Sequence, residues 1–480
     1  MGERRDLTTL PLRVGIEAER EDGLLIAVTG TDGTTGRVVV IGGGIAGLTA
    51  AYRLAQAGHR VTLWEQHERL GGQAAAFPVG DGASLEYFYH HLFMSDTDIV
   101  SLIEELGIEN NLVWIDSNVG FFSNGRVYPL NGATDLLKLG FIPFTDRVRI
   151  GLATLYLQRV TESSGKWRRF ERVTAWEWLR RAVGKRAFDR VWGTQLVAKF
   201  GNRAQEVAMV WFWNKIFLRT LSRPRLLARE QLGYILGSFN VLIDRLADAC
   251  RELGVDIRVG VGVSGLDRHY DGPARFTLRG NDDRNEPVDA VIATTPSPIL
   301  LRLVPDMPEP YRSQLTSATY QGAVCMLLKL KQPLSQTYWM NIGDDRLPFT
   351  GIIEHTNFIG PEHYGGWHYV YVSKYVDWDH PYVTMTDEQL LDEYEPKLRL
   401  VNPAFDRDWI GQMWVFKERA AQPIIGLNYS ARIPAHQTPL PGLYLANTAQ
   451  IYPEDRGTNY SVDLGNRIAR MVDHDLASGV

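Results

Sequence analysis

Val38-Val39-Val40-Ile41 runs directly into Gly42-Gly43-Gly44-Ile45-Ala46-Gly47, and the junction of these two short segments decides the fold. Four consecutive apolar residues, three of them β-branched valines, predict a strand covered on both faces of a parallel sheet. Beyond the glycines, Leu48, Ala51, Leu54 and Ala55 recur at helical spacing until Gly58. Val61-Thr62-Leu63-Trp64 then predicts a second strand, with Glu65 at its carboxyl end. In this loop Gly42 permits the tight turn, Gly44 lets the backbone approach a pyrophosphate, and Gly47 lets the helix pack closely. Ile45 and Ala46 open the helix, whose free N–H groups favour phosphate charge. Glu65 follows Gly42 by 23 positions, where a carboxylate accepts ribose hydroxyls and repels a 2′-phosphate. Glycines alone would be weak evidence; the complete βαβ setting predicts a dinucleotide site and leaves NAD and FAD open.

Arg69-Leu70-Gly71-Gly72-Gln73 follows close behind Glu65 and Gln66. With the glycine loop, this stretch resembles the flavin amine-oxidase superfamily, which includes protoporphyrinogen oxidases, phytoene-type desaturases and, more distantly, UDP-galactopyranose mutases. The resemblance implies FAD as cofactor. It implies that Arg69 lies near the phosphates, with Gly71 and Gly72 beneath the flavin side and Gln73 replacing a family arginine. It places Gln66 among the cofactor contacts as well. Leu232 to Ser238 resembles the family segment before a second nucleotide-contacting strand, which implies that the Val263 backbone is near adenine. Asp289 to Pro296 resembles the strand and turn beside the cofactor, and Pro441 to Ala446 the closing strand. Asn447-Thr448 stands where the family carries Gly-Asp or Gly-Glu, so neutral side chains are expected at the ribityl chain. After Gly457, the N–H groups of Asn459, Tyr460 and Ser461 are expected to open a helix at the flavin, whose positive end would stabilise charge on the reduced ring.

The expected fold class is α/β: an FAD-binding Rossmann-like βαβ domain with an inserted mixed-sheet substrate domain and a helical cap. Residues 1–36 read as an N-terminal extension without the apolar core of a signal peptide. Residues 37–115 and 231–300 read as two parts of the FAD-binding domain, closed by 436–480. Residues 116–230 read as the helical cap and 301–435 as the β-rich substrate domain. Within the latter a Thr386-to-Gln389 capping box predicts a helix start. Ser95 is a candidate N-cap for a helix burying Ile99, Leu102, Ile103 and Leu106, and another helix is predicted around Leu232 to Cys250.

A net charge of −5 gives no reason to expect nucleic acid as a partner. No stretch approaches the roughly 18 apolar residues of a membrane span. Cys250 and Cys325 are far apart in apolar surroundings, which suits core thiols in a reducing cytoplasm and gives no metal site.

Flavin chemistry needs no protein triad, so the candidate catalytic residues are polar groups near the expected cofactor edge. Tyr87-Phe88-Tyr89-His90-His91 follows the Gly71-Gly72 element, and one of its histidines is a candidate proton carrier at neutral pH. A structural aromatic segment is the alternative. Glu354-His355-Thr356-Asn357 ends a predicted strand, facing substrate or merely satisfied there. In Tyr452-Pro453-Glu454-Asp455-Arg456-Gly457, Arg456 is a candidate for binding an anionic substrate or stabilising flavin charge, the alternative being a solvated loop. Trp211 to Arg219, followed by Arg223, Arg225 and Arg229, reads as a core helix with a basic face, or as a membrane-surface or channel element. The resulting expectation is a cytoplasmic FAD-dependent oxidoreductase, with peripheral membrane contact allowed, that dehydrogenates, desaturates or oxidises a sizeable apolar or anionic small molecule. The alternatives are a flavin-dependent mutase, with Arg126, Tyr128 and Arg456 on sugar-nucleotide phosphates, and a flavin-binding module without turnover.

Overall fold

The structure is a computed structural model that describes residues 35–221, 229–269, 271 and 274–479. The quoted segment forms strand β1 (Arg37–Ile41), helix α1 (Ile45–Gln56) and strand β2 (Arg60–Trp64). β1 lies at the centre of a five-stranded parallel sheet, between β2 and the strand Ala290–Ala293. Asp256–Arg258 and Leu443–Leu445 form its edges. Alternation along β1 separates two cores. Val38 and Val40 pack with Leu48 and Leu54 of α1, whereas Val39 and Ile41 pack with Phe276, Leu278 and Leu300. A strand buried on both faces reads as a continuous apolar run for this reason.

A second sheet has seven strands, with Tyr320–Leu330 between Ile410–Pro423 and His368–Val376. Its side chains also alternate: Val324, Met326 and Leu328 face the helix Asp387–Val401, and Cys325 and Leu327 join the core that holds Val38 and Val40 of β1. That helix starts with the predicted box, Thr386 Oγ1 accepting from Gln389 N at 3.2 Å and Gln389 Oε1 from Thr386 N at 3.0 Å. Cys250 and Cys325 are buried free thiols.

Three local readings change. The segment after residue 116 does not begin with helix: Val119–Ser123 and Arg126–Pro129 form a hairpin at the edge of the seven-stranded sheet. Its turn is Asn124-Gly125, both at positive φ, the dipeptide favoured in tight hairpins. Leu232 to Cys250 is likewise not one helix, because Gln231–Ile235 pairs as a strand with Leu112–Asp116 before the helix Asn240–Glu252 begins. Ser95 does not cap the helix Thr97–Glu105; Asp96 holds that position, with Oδ2 accepting from Phe93 N at 2.9 Å. Among the described residues, no helix is long and apolar enough to cross a membrane.

Candidate functional site

Two cavities meet at the junction of the parallel sheet and the seven-stranded sheet. The larger, about 880 Å³, is bordered by the glycine loop, the end of β2, the Val261–Val263 backbone, the Thr294–Pro296 turn and the start of the closing helix Thr458–Ala477. Its size falls within the about 300–1,000 Å³ usual for ligand clefts.

The glycine loop is built as its spacing demands. Gly42 has φ +110°, and a Cβ on Gly47 would lie 2.0 Å from the Gly42 carbonyl oxygen. At Gly44 the contrast is complete: a Cβ would find only Gly72 Cα, at 3.9 Å, because this position faces the open cleft. That space beside the N-terminus of α1 suits a pyrophosphate, and Ile45 and Ala46 border it. Glu65 is 7% exposed. Its carboxylate accepts from Gly43 N at 2.7 Å and His67 N at 2.9 Å, which fixes it at the cleft edge with lone pairs left for ribose hydroxyls.

The remaining expected cofactor contacts divide. Gln66, Gly71, Gly72, Gln73, Val263, Asn447, Thr448 and Ser461 border this cleft. Arg69 does not; it is exposed, 3.4 Å from the Tyr87 hydroxyl. The Asn447 side chain is spent locally, accepting from Ala449 N and donating to Thr295 O and Ser297 Oγ. Asn459 and Tyr460 border the other cavity instead, and Asn459 binds Ile99 N and Asp98. The closing helix nevertheless presents its N-terminus to the cleft through Gly457, Thr458 and Ser461. It packs tightly on α1, since a Cβ on Gly465 would meet Thr49 Cβ at 2.6 Å.

The second cavity, about 410 Å³, is walled by Trp192, Leu196, Trp211 and Phe212 from the helical block and by Trp339, Ser373 and Tyr375 from the seven-stranded sheet. Gln73, His90, Glu418, Arg456, Gly457 and Thr458 border both cavities. His91 borders the second alone. Burial lowers His90 to about 4, against the hydrogen bond from Nδ1 to the Phe88 carbonyl, and lowers His91 to about 3, with Arg219 adding to the effect. Both stand neutral near pH 7, as oriented hydrogen-bonding rings.

Arg456 donates from Nη2 to the Tyr375 hydroxyl at 2.7 Å, and its Nε is buried without a partner. Beside it Asp455 pairs closely with Lys215 and lies 3.9 Å from Lys199. Burial opposes ionisation of Asp455, yet Lys215, Lys199 and Arg456 hold its carboxyl well below the usual range. Lys199 is lowered to about 8 by burial, against the pull of Asp455, and its ammonium lies 4.8 Å from the Trp211 ring and 5.0 Å from that of Tyr375. Three cations thus face one carboxylate at the cavity wall.

Lys199, Tyr375 and Glu418 escaped sequence reasoning. A lone lysine within Leu196-Val197-Ala198-Lys199-Phe200 was a usable signal, since lysine is seldom buried without purpose. Other candidates lie elsewhere. Glu354 is buried, accepting from Leu334 N and from Ser335 N and Oγ, and His355 pairs with Tyr364 at 2.6 Å. Both are structural strand-end groups. Arg126 and Tyr128 sit on the edge hairpin and border neither cavity, so of the residues proposed for a sugar nucleotide only Arg456 meets the site. Trp211, Phe212 and Trp213 are buried in the helical block, not available to a membrane surface; Arg223 and Arg225 lie outside the described residues.

Residues 45–454 match the family of flavin-containing amine oxidoreductases. The chain belongs to that family. It has the mixed α/β fold that the glycine loop and the Gly71-Gly72 element led one to expect. Among curated proteins it is 25% identical over 294 residues to a 15-cis-phytoene desaturase of Arabidopsis thaliana, covering 56% of this chain and 49% of that protein. The match thus spans about half the length of that relative. Among solved structures it resembles a candidate protoporphyrinogen oxidase from Exiguobacterium sp. 255-15, with TM-score 0.72 at 19% identity over 92% of this chain and 99% of that one. It also resembles reduced UDP-galactopyranose mutase, with TM-score 0.70 at 15% identity over 91% and 95%. These structures share the fold.

Proposed function

We propose that this flavin-containing amine oxidoreductase uses FAD to dehydrogenate, desaturate or oxidise a sizeable, largely apolar small molecule that carries an acidic group. The observation that carries the reading is the shared border of the two cavities at Gln73, His90, Glu418, Arg456, Gly457 and Thr458. A dinucleotide filling the larger cleft would meet a substrate filling the smaller one at that border. FAD fits the residues present: Glu65 for ribose, the amides at Gly44 to Ala46 for pyrophosphate, Thr448 along the middle, and Gly457, Thr458 and Ser461 at the flavin end. When bound, the flavin supplies the acceptor for hydride or electrons.

The chain's own residues hold, orient and desolvate. Trp192, Trp211, Phe212 and Trp339 exclude water and bury apolar surface. Arg456 and the helix N-terminus at Thr458 offer positive charge at the border. Lys199 and Lys215 exceed what Asp455 neutralises, and the excess suits a carboxylate on the substrate. The test is anaerobic mixing of the holoprotein with apolar carboxylic acids and their methyl esters, watching flavin bleaching. Bleaching by acids and much slower bleaching by esters supports the reading. Equal rates remove the acidic group from it, and conversion by prereduced protein without any consumed acceptor replaces it with mutase chemistry.

A further inference from the structure

The helix Phe144–Gln158 is apolar on two opposite sides, and the described residues cover only one. Ile150, Ala153 and Leu157 enter the core of the helical block, where Asp146 is held by Arg186 at 2.6 Å. Phe144, Val148, Leu152, Leu155 and Tyr156 recur at i, i+4, i+8, i+11 and i+12, which is a single helical face. All five are exposed, Phe144 and Leu152 by 63% and 62%. Isolated exposed leucines mean little, but a contiguous stripe along fifteen helical residues marks a contact surface.

Charge decides what it contacts. Between residues 137 and 190 the chain carries thirteen Lys and Arg against five Asp and Glu, although the whole protein has net charge −5. Arg149 and Arg159 are exposed beside and beyond the stripe. Arg169 stacks over the Tyr156 ring at 5.4 Å and hydrogen-bonds its hydroxyl. Apolar side chains along one face with Arg149, Arg159 and Arg169 at its margin match an anionic lipid surface, in which the apolar groups enter the acyl boundary and the cations meet phosphate. We infer that the Phe144–Gln158 face docks the protein on anionic membranes. The same helical block supplies Trp192, Leu196 and Lys199 to the proposed substrate cavity, so the docked face and part of the cavity wall share one packed core.

The test is flotation of the holoprotein with phosphatidylcholine vesicles, with and without phosphatidylserine. Binding is expected only to the anionic vesicles and weakens as salt screens the cations. Phe144→Glu with Leu152→Glu should lower it at least about tenfold, and Arg149→Gln with Arg159→Gln about tenfold, from the contribution of each basic residue near an anionic surface. Flavin content, unchanged in both variants, reports an intact fold; the arginine pair serves alone if the glutamates disturb it. Unaltered vesicle binding in the arginine variant overturns the inference. So does a wild-type dimer in solution that Leu152→Glu converts to monomer without any vesicle binding by either, because the stripe would then cover a second copy.

Discussion

Arg456 on the closing segment donates to the Tyr375 hydroxyl of the seven-stranded sheet at 2.7 Å, joining the cofactor cleft to the wall of the second cavity with one charged hydrogen bond. The contact positions a guanidinium where both cavities reach it and leaves Nε free for a ligand. Arg456→Ala should retain most bound flavin yet slow substrate-dependent flavin reduction by about tenfold or more, from loss of a charged hydrogen bond of about 1.5–3 kcal/mol. Tyr375→Phe, which keeps the charge, should have a smaller effect. Rapid-mixing reduction kinetics against flavin content separate the two, and loss of flavin without slowed reduction would contradict the assignment.

The two glycines at Gly44 and Gly47 separate folding from binding. A side chain at Gly47 collides with the Gly42 carbonyl, so Gly47→Val should destabilise the protein itself. A side chain at Gly44 enters open space beside Gly72, so Gly44→Val should fold with little change in the apoprotein melting temperature and fail to hold flavin. Thermal melts with and without added flavin check both. A Gly44→Val protein that binds flavin normally would show that the phosphates lie elsewhere.

That loop was legible because every requirement on it is local: a turn, a helix start and an acidic strand end within one βαβ unit. Thr386 and Gln389 were legible for the same reason. The hairpin at Asn124-Gly125 had a local signal too, but its sheet partner is Trp339–Ile342, paired in parallel more than two hundred positions away, and short-range periodicity does not encode such a pairing. The second cavity was the least legible part. Lys199, Tyr375 and Arg456 come from three separate segments, and the wall they form exists only after those segments pack. Asn447 illustrates the opposite limit: its place in the family resemblance implied a ligand contact, while the structure spends its amide on Ala449 N, Thr295 O and Ser297 Oγ.

Burial brings Lys199, at the wall of the second cavity, within reach of an ordinary pH profile. Its folded value, lowered by burial to about 8 from 10.5, means that the ammonium is present below about pH 8 and lost above it. If the cation seats a substrate carboxylate, the KM for an acidic substrate should rise as pH increases through about 8. Lys199→Arg should move that rise to higher pH and Lys199→Met should remove it while raising KM throughout. Steady-state profiles of KM and kcat decide; a profile unchanged in Lys199→Met would exclude the role.

The histidines predict an absence. With burial lowering His90 to about 4 and His91 to about 3, neither ring is expected to give a limb near pH 6.5. His90→Gln and His91→Gln should therefore alter rates through lost positioning, with the shape of the profile between about pH 5.5 and 7.5 retained, since ordinary histidine titration falls there. Disappearance of a neutral limb in either variant would restore the proton-carrier role.

Glu65→Gln keeps the size of the side chain but removes the charge that accepts from Gly43 and His67 at the ribose position. Flavin affinity should fall by about tenfold or more, in line with about 1.5–3 kcal/mol for charged hydrogen bonds. Equilibrium dialysis of the apoprotein measures it, and unchanged affinity would place the ribose elsewhere.

The central claim is that one dinucleotide flavin occupies the cleft from Glu65 to Thr458 and meets substrate at Arg456. Chromatography of the cofactor released on denaturation, quantified against protein, tests it most directly: about one FAD per chain, from the single dinucleotide cleft described, is the predicted result, with Gly44→Val releasing none. FMN, a nicotinamide dinucleotide, or no cofactor after reconstitution with FAD would contradict the account.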